Sequence, residues 1–233
     1  MSARSIEAGS LAGPAVGATR SGSALTAAAC RALDIAVAGI LLLLLAPVFA
    51  AIAIAIRLDS AGWVVFRQQR LGRDLRSFTI NKFRTMSAGV EEETHRAFVV
   101  ALINGEEPRQ GDEDAPMFKM TADARVTRVG AFLRRSSLDE LPQLWNVLRG
   151  EMSIVGPRPE QVELVRRYRP EHRFRLSVKP CITGPMQVFG RGNLTFHERL
   201  AVELDYIENV SLARDLRIIA ETVPVALRGS GAY

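Results

Sequence analysis

The fold is decided first by residues 35–56, which read IAVAGILLLLLAPVFAAIAIAI. These 22 residues carry no charge; Arg31 and Asp34 precede them, and Arg57 follows. About 20 apolar residues in a helix are enough to cross the hydrocarbon core of a bilayer. The run starts too late and is too long for a cleavable signal peptide. We therefore predict a membrane helix over residues 25–58.

Pro47 lies in the middle of this run, where it removes a helical hydrogen bond and clashes with the preceding turn. The residues alone leave two topologies open: a kinked helix that spans the bilayer, or a broken helix that enters and leaves by the same face. Seven Lys or Arg residues stand between positions 57 and 84, against three before position 35. The positive-inside rule therefore predicts that the chain after the run is cytoplasmic.

The composition excludes several classes of protein. Of the 233 residues, 48% are hydrophobic, which is too many for a chain that is disordered throughout. Two cysteines, Cys30 and Cys181, cannot support a disulfide scaffold of this length. The net charge is +5, and only three of the 30 cationic residues are Lys. Because Arg binds phosphate as a bidentate fork, the charge indicates phosphorylated small molecules, anionic lipid or nucleic acid as partners.

Residues 59–228 are expected to form one α+β domain in which helices dominate, with disordered tails at 1–24 and 229–233. Alternating apolar residues predict short strands, and helical periodicity predicts the remaining elements. The predicted elements are strands 63–66 and 78–83, helices 87–103, 139–149, 159–170, 195–209 and 211–228, and an acidic loop at 104–116.

The last predicted helix is amphipathic. Ser211 is a plausible N-cap, and Leu212, Leu216, Ile219 and Val223 share one face. Such a helix can lie on a membrane surface, or it can pack onto the core of its own domain. The sequence leaves both arrangements open.

Chemistry-bearing side chains are densest between residues 134 and 160. Asp139 and Glu140 are adjacent, and Ser137 lies three residues before Glu140. This spacing matches a capping box, in which the glutamate only binds a backbone amide at a helix start. The same two carboxylates could instead serve as a nucleophile and as a ligand of Mg²⁺ or a proton carrier.

Phosphoryl transfer also requires cations where negative charge develops. Arg134 and Arg135 precede the acidic pair, and Arg158 follows it between Pro157 and Pro159. Two flanking prolines restrict the backbone around a single Arg. That feature suits either a rigid surface turn or a precisely held phosphate ligand.

Four longer motifs follow one another along the chain. They are KFRTM at 82–86, SLDELPQLWNVL at 137–148, MSIVGPRP at 152–159 and KPCITG at 179–184. Together they resemble the signature of the bacterial sugar transferases, which are monotopic phosphoglycosyl transferases. The stretch from Asp114 to Gly130 is similar to longer members of that family, the undecaprenyl-phosphate sugar phosphotransferases of the exopolysaccharide type. The resemblance covers about residues 31–228.

The resemblance implies a reaction. Such enzymes transfer a hexose-1-phosphate from a UDP-hexose to undecaprenyl phosphate and release UMP, the initiating step of exopolysaccharide or other glycoconjugate assembly. It also implies Mg²⁺ as the cofactor, the bilayer as a partner, and the bacterial cytoplasmic membrane as the location, with the catalytic domain facing the cytoplasm. A homodimer is a further expectation, and no nucleic-acid partner is expected.

The resemblance also assigns roles to residues. Asp139 would be the nucleophile and would carry a phospho-sugar intermediate, and Glu140 would assist through Mg²⁺ or proton transfer. Arg158 would bind phosphate or the nucleotide. The other predicted substrate-binding residues are Lys82, Arg84, Arg134, Arg135 and Glu203.

The chain departs from the family pattern at three positions. The family's re-entrant membrane helix is broken at a Ser-Pro pair, which reads Ala46–Pro47 here; this favours the re-entrant topology. Cys181 replaces a glycine, and it would be strained if the backbone there had a positive φ. Glu203 stands where the family usually has Asp.

Two other functions remain as alternatives. A membrane-anchored hydrolase or lyase of nucleotide sugars would release free sugar phosphate and need no lipid acceptor. A non-catalytic, membrane-tethered module would use its Arg residues to bind phosphate or anionic lipid, and the acidic pair would only cap a helix.

Overall fold

The computed structural model describes residues 24–87, 125–166, 168–190 and 196–228. Helices dominate these residues, and the strands are short, as the α+β prediction requires. The helices are α1 (Ala24–Leu44), α2 (Ala46–Asp59), α3 (Arg128–Arg135), α4 (Gln143–Leu148), α5 (Val162–Val165), α6 (Phe196–Glu208) and α7 (Leu212–Arg228). The strands are β1 (Val65–Leu71), β2 (Ser77–Phe83), β3 (Ser153–Val155), β4 (Glu160–Gln161) and β5 (Cys181–Thr183).

The apolar run forms two helices rather than one. Helix α1 ends at Leu44, and α2 begins at Ala46 with Pro47 in its first turn. Proline is tolerated there because the first amides of a helix have no intrahelical acceptor. Among the described residues, α1 is the helix long and apolar enough to cross a membrane, with 21 residues and a mean hydropathy of 2.1. The predicted break at Pro47 is confirmed.

The start of the apolar run is bound to the domain that follows it. Arg31 donates to the carbonyl oxygen of Val147 in α4, at 2.7 Å. The buried Asp34 carboxylate accepts bonds from the Ser153 hydroxyl at 2.9 Å and from the Ile154 amide at 2.8 Å, both in β3. Charged groups in the N-terminal half of α1 therefore join it to the centre of the domain.

The end of the apolar run is bound to the same domain. The Arg84 guanidinium is buried and donates to the carbonyl oxygens of Ser60 and Ala61, at 2.7 and 2.8 Å. The Val129 amide donates to the Asp59 carboxylate at 3.1 Å. In a straight membrane crossing, 22 helical residues would separate the two ends by about 33 Å. Attachment of both ends to one domain is consistent with a monotopic, re-entrant anchor.

A β-hairpin carries the first part of the site. Strands β1 and β2 are antiparallel, in a register that runs from Val65↔Phe83 to Leu71↔Ser77, and β4 adds to the other edge of β1. The strand predicted over 78–83 is confirmed as β2, which begins one residue earlier. The strand predicted over 63–66 corresponds to β1, which begins at Val65 and extends to Leu71. Its continuation is polar, so it lacks the apolar alternation that indicates a strand in a sequence.

The main core lies between this hairpin, helix α4 and a second sheet of two parallel strands, β3 and β5. Val147 and Met152 are completely buried there, and Ala38 of α1 packs into the same cluster. The sequence did not predict β3, β5 or helix α3. Strands of only three residues are too short to show the alternation of apolar and polar residues from which a strand is recognised.

The predicted helices had mixed outcomes. Helices 195–209 and 211–228 are confirmed as α6 and α7. The helix predicted over 159–170 is wrong: the short elements β4 and α5 occupy that stretch, followed by a 3₁₀ helix, Pro170–Ser177. Loop 104–116, helix 87–103 except residue 87, and both predicted tails except residue 24 lie outside the described residues.

Helix α7 packs onto the core through Ile218 and Asp215, which are both buried. Its predicted cap is confirmed, since the Arg214 amide donates to the Ser211 hydroxyl at 3.3 Å. Part of the predicted apolar face points outward: the exposed fraction is 49% for Leu216. The helix therefore packs on the domain and still presents an apolar stripe, as an interfacial helix does.

Candidate active site

The turn before the acidic pair is not a helix cap. Ser137 has a left-handed backbone, with φ 55°, and its side chain makes no capping hydrogen bond. A 3₁₀ helix, Leu138–Glu140, follows, and α4 begins only at Gln143. Because an N-cap residue normally has an extended backbone, the capping-box interpretation is wrong. The Glu140 carboxylate is directed elsewhere.

Glu140 binds two cations that come from distant parts of the chain. The Lys82 ammonium in β2 donates to its Oε1 at 2.9 Å, and the Arg158 guanidinium donates to the same oxygen. Burial alone would raise the pKa of this carboxyl, but the charges and hydrogen bonds of Arg158 and Lys82 lower it to about 2. Glu140 is therefore ionised at neutral pH.

Asp139 has a different environment. Burial raises its pKa to about 6, and the neighbouring Glu140 charge adds to this effect while Lys82 and Arg158 oppose it. Two adjacent carboxylates thus have pKa values shifted in opposite directions, a separation that often accompanies different chemical roles. At neutral pH Asp139 is mainly a carboxylate, and it does not share the ion pairs that hold Glu140.

The backbone of Arg158 is held on both sides by a buried ion pair. Its amide donates to Oε1 of Glu203, and its carbonyl oxygen accepts from Arg175, both at 3.3 Å. Glu203 and Arg175 are themselves paired at 2.7 Å, and both are buried. Glu203, predicted to bind substrate, thus lies behind Arg158 and contacts its main chain.

The other predicted residues divide into two groups. Arg134 donates to the Thr85 hydroxyl at 2.9 Å, and its charge lowers the pKa of Asp139, so it belongs to the site. The Arg84 guanidinium binds the chain after α2, and Arg135 is exposed. The structure therefore brings Lys82, Arg134 and Arg158 to the acidic pair but directs Arg84 to the membrane segment.

An open cavity of about 310 Å³ lies against this cluster. Its lining includes Glu140, Lys82 and Arg158, together with Arg70 and Gln143, which the sequence analysis did not select. In the sequence alone, nothing distinguishes Arg70 from the other cations of its strand. Gln143 lies within the motif at 137–148, but nothing in the motif alone shows which of its residues face a cavity.

Cys181 also lines the cavity. It lies in strand β5, and the non-glycine residues with positive φ among the described residues are Asp74, Leu75 and Ser137. The strain expected from replacing glycine is therefore absent. The buried thiol lies against the carbonyl oxygens of Gly156 and Pro157, just before Arg158.

A buried carboxylate held by Lys and Arg, an adjacent ionised Asp and a cationic cavity are features suited to phosphate chemistry. A family model described as bacterial sugar transferase matches residues 25–229. This chain belongs to the bacterial sugar transferase family. The match covers both parts of the membrane segment as well as the domain that holds the acidic pair, so the family resemblance of the four motifs is confirmed.

Relatives within the family have related names. The chain is 38% identical to the exopolysaccharide production protein ExoY of Rhizobium meliloti over 203 residues, which is 87% of each chain. It is 40% identical to the UDP-glucose:undecaprenyl-phosphate glucose-1-phosphate transferase of Caulobacter vibrioides, over 87% of this chain and 71% of that one. It is 39% identical to the UDP-galactose-lipid carrier transferase of Erwinia amylovora. That match covers 87% of this chain but only 41% of the Erwinia protein.

Proposed function

We propose that this chain transfers a hexose-1-phosphate from a UDP-hexose to undecaprenyl phosphate and releases UMP. The observation that carries the proposal is the pair of adjacent carboxylates with opposite environments: Glu140 is fixed by Lys82 and Arg158, and Asp139 is beside it. The names of the Caulobacter and Erwinia relatives, which mention undecaprenyl phosphate and a lipid carrier, agree with this reaction.

In the first step the Asp139 carboxylate attacks the phosphorus atom that bears the sugar. An Asp139 Oδ–P bond forms, the P–O bond of the diphosphate bridge breaks, and UMP leaves with the bridging oxygen and its electron pair. Because the pKa of Asp139 is about 6, most of this carboxyl is ionised at neutral pH. It is thus available as a nucleophile, without a separate base.

Glu140 orients the side chains of Lys82 and Arg158 and does not carry a proton. With a pKa of about 2, it does not become protonated during turnover near neutral pH. It holds the Lys82 and Arg158 side chains at the cavity, where their charges can stabilise the phosphoryl group as charge develops. Groups fixed before the reaction need no reorganisation at the transition state.

Mg²⁺ is the cofactor we propose, held by Asp139 and Glu140 together with substrate phosphates. Among the described residues no group of three or more His, Cys, Asp or Glu side chains could hold a metal by itself. One or two carboxylates completed by substrate phosphates are the usual ligands of Mg²⁺. The bonds from Lys82 and Arg158 both end on Oε1 of Glu140, so Oε2 remains for a metal. When bound, Mg²⁺ would neutralise phosphate charge.

In the second step the lipid phosphate attacks the phosphorus atom on Asp139. A new P–O–P bridge forms, the Asp139 Oδ–P bond breaks, and the carboxylate is regenerated. One phosphoanhydride replaces another, so the overall reaction needs no ATP. A re-entrant anchor in the cytoplasmic membrane, with both ends bound to the catalytic domain, would keep that domain near the depth of lipid phosphates. The cations that follow the anchor agree with a cytoplasmic domain.

The test is UMP release by the detergent-purified chain from a panel of UDP-sugars, with Mg²⁺ and undecaprenyl phosphate. Asp139→Asn should abolish release, while Asp74→Asn, at an exposed turn of the hairpin, should retain it. Exchange of labelled UMP into UDP-sugar without lipid should also occur, since it needs only the covalent intermediate. Full turnover without lipid would instead indicate a hydrolase, and no release or exchange with any donor would contradict catalysis.

A further inference from the structure

Arg70 occupies a rigid position at the cavity. Its backbone pairs with Phe78 of β2 on one side and with Gln161 of β4 on the other, so it lies in the central strand of the three-stranded sheet. Its side chain lines the cavity together with Lys82 and Arg158. Pairing on both edges fixes the strand, which limits how far the guanidinium can move away from the cavity.

Arg70 differs from these two cations in its partners. Lys82 and Arg158 are both paired with Glu140, whereas Arg70 takes part in none of the ion pairs between described residues. Among the described residues, Nη2 of Arg70 donates to Oε1 of Gln68 at 2.7 Å, and the buried Nε of Arg70 has no acceptor. Arg70 is half-buried, and a guanidinium that is partly removed from water is costly unless an anion pairs with it.

Gln143 gives a second, independent indication at the same cavity. It is 99% buried at the first position of α4, and it also lines the cavity. Its Nε2 has no hydrogen-bond partner in the part of the chain that the structure describes. A buried donor with no acceptor destabilises a protein, so its retention here suggests that an acceptor enters with a ligand.

We infer that Arg70 and Gln143 bind the oxygen atoms of a substrate phosphate group in this cavity. The cavity lining has three cations against the single carboxylate of Glu140, so its charge suits an anion. Arg70 supplies a guanidinium that forms no ion pair with a described carboxylate, and Gln143 supplies a neutral donor. The inference rests on the proposed function, because two phosphorylated substrates, the nucleotide sugar and the polyprenyl phosphate, share this chemistry.

The test measures binding to the full chain in detergent by titration calorimetry, with UDP as one probe and farnesyl phosphate as the other. Arg70→Gln removes the cation, and Arg67→Gln is the matched control, because Arg67 is exposed on the same strand. Loss of a charged hydrogen bond should weaken binding about tenfold to a hundredfold. Weakening with UDP assigns Arg70 to the donor, and weakening with farnesyl phosphate assigns it to the acceptor.

Stability separates a ligand contact from a packing role. Gln143→Met keeps the volume and removes the unpaired donor, so its Tm should equal or exceed that of the wild type while binding of the same probe weakens. A lowered Tm with unchanged binding would overturn the role of Gln143. If Arg70→Gln binds both probes as tightly as Arg67→Gln does, the inference fails while the proposed function stands. If the wild type binds neither probe, both fail.

Discussion

The Lys82 ammonium lies 2.9 Å from Oε1 of Glu140, although the two residues are 58 positions apart in the chain. This contact joins the hairpin to the turn that carries Asp139, and Arg158 completes it from a third segment. One carboxylate therefore aligns two cations at the cavity. The catalytic proposal depends on this alignment, because none of the ion pairs between described residues includes Asp139.

Activity should depend on the ionisation of Asp139. Its pKa is raised to about 6, so the nucleophilic carboxylate is present above that pH and is lost as the pH falls through it. The rate of UMP release in a single turnover without lipid should fall about tenfold per unit below pH 6 and level off above it. Omitting lipid removes the titration of the acceptor phosphate. A rate that stays constant down to pH 4.5 would contradict the assignment.

Replacing Lys82 should shift the pH below which the rate falls, which is the acid limb of the pH–rate profile. The Lys82 charge lowers the pKa of Asp139, so Lys82→Gln should shift the limb to higher pH. The variant should also reduce kcat by about a hundredfold to a thousandfold, since a cation is lost from the phosphoryl site. Arg73→Gln removes an exposed cation from the hairpin turn and serves as control. If the acid limb of Lys82→Gln lies at the same pH as that of the wild type, the charges of Lys82 and Asp139 do not interact.

Glu203 should behave as a positioning residue. Glu203→Gln removes one of the two carboxylates that pair with the buried Arg175, while Glu160 remains. This loss should lower the free energy of unfolding by about 2 kcal/mol. Because Glu203 and Arg175 hold the main chain of Arg158, kcat should fall as well. Glu163→Gln, at an exposed position, is the control for thermal unfolding and kinetics. A raised KM with unchanged stability would instead indicate direct contact with substrate.

The two ends of the membrane segment should be on the same side of the bilayer. Cysteines introduced as Ser2→Cys and Ala61→Cys should both resist a membrane-impermeant maleimide applied outside intact cells and react after permeabilisation. The wild type is the control, because Cys30 and Cys181 are buried. Labelling of Ser2→Cys from outside, with Ala61→Cys protected, would establish a spanning helix and contradict the re-entrant arrangement.

Local patterns predicted several elements well. The break at Pro47 follows from the missing amide hydrogen, and helices α6 and α7 follow from apolar periodicity and the Ser211 cap. Patterns of this kind depend on residues within one or two turns of each other. The helix predicted over 159–170 failed because its residues instead pair with β1 and pack around the buried Arg175, neither of which is visible locally.

The sequence by itself determined the membrane segment, its break at Pro47 and the family motifs with the Asp139–Glu140 pair, since each is written in neighbouring residues. Only the tertiary structure decided that Glu140 binds cations rather than capping a helix, and that Arg84 serves the membrane segment. It alone brought Arg70 to the cavity. The physical reason is that ion pairs and cavities form between segments far apart in the chain, where charge and shape, rather than local spacing, select the partners.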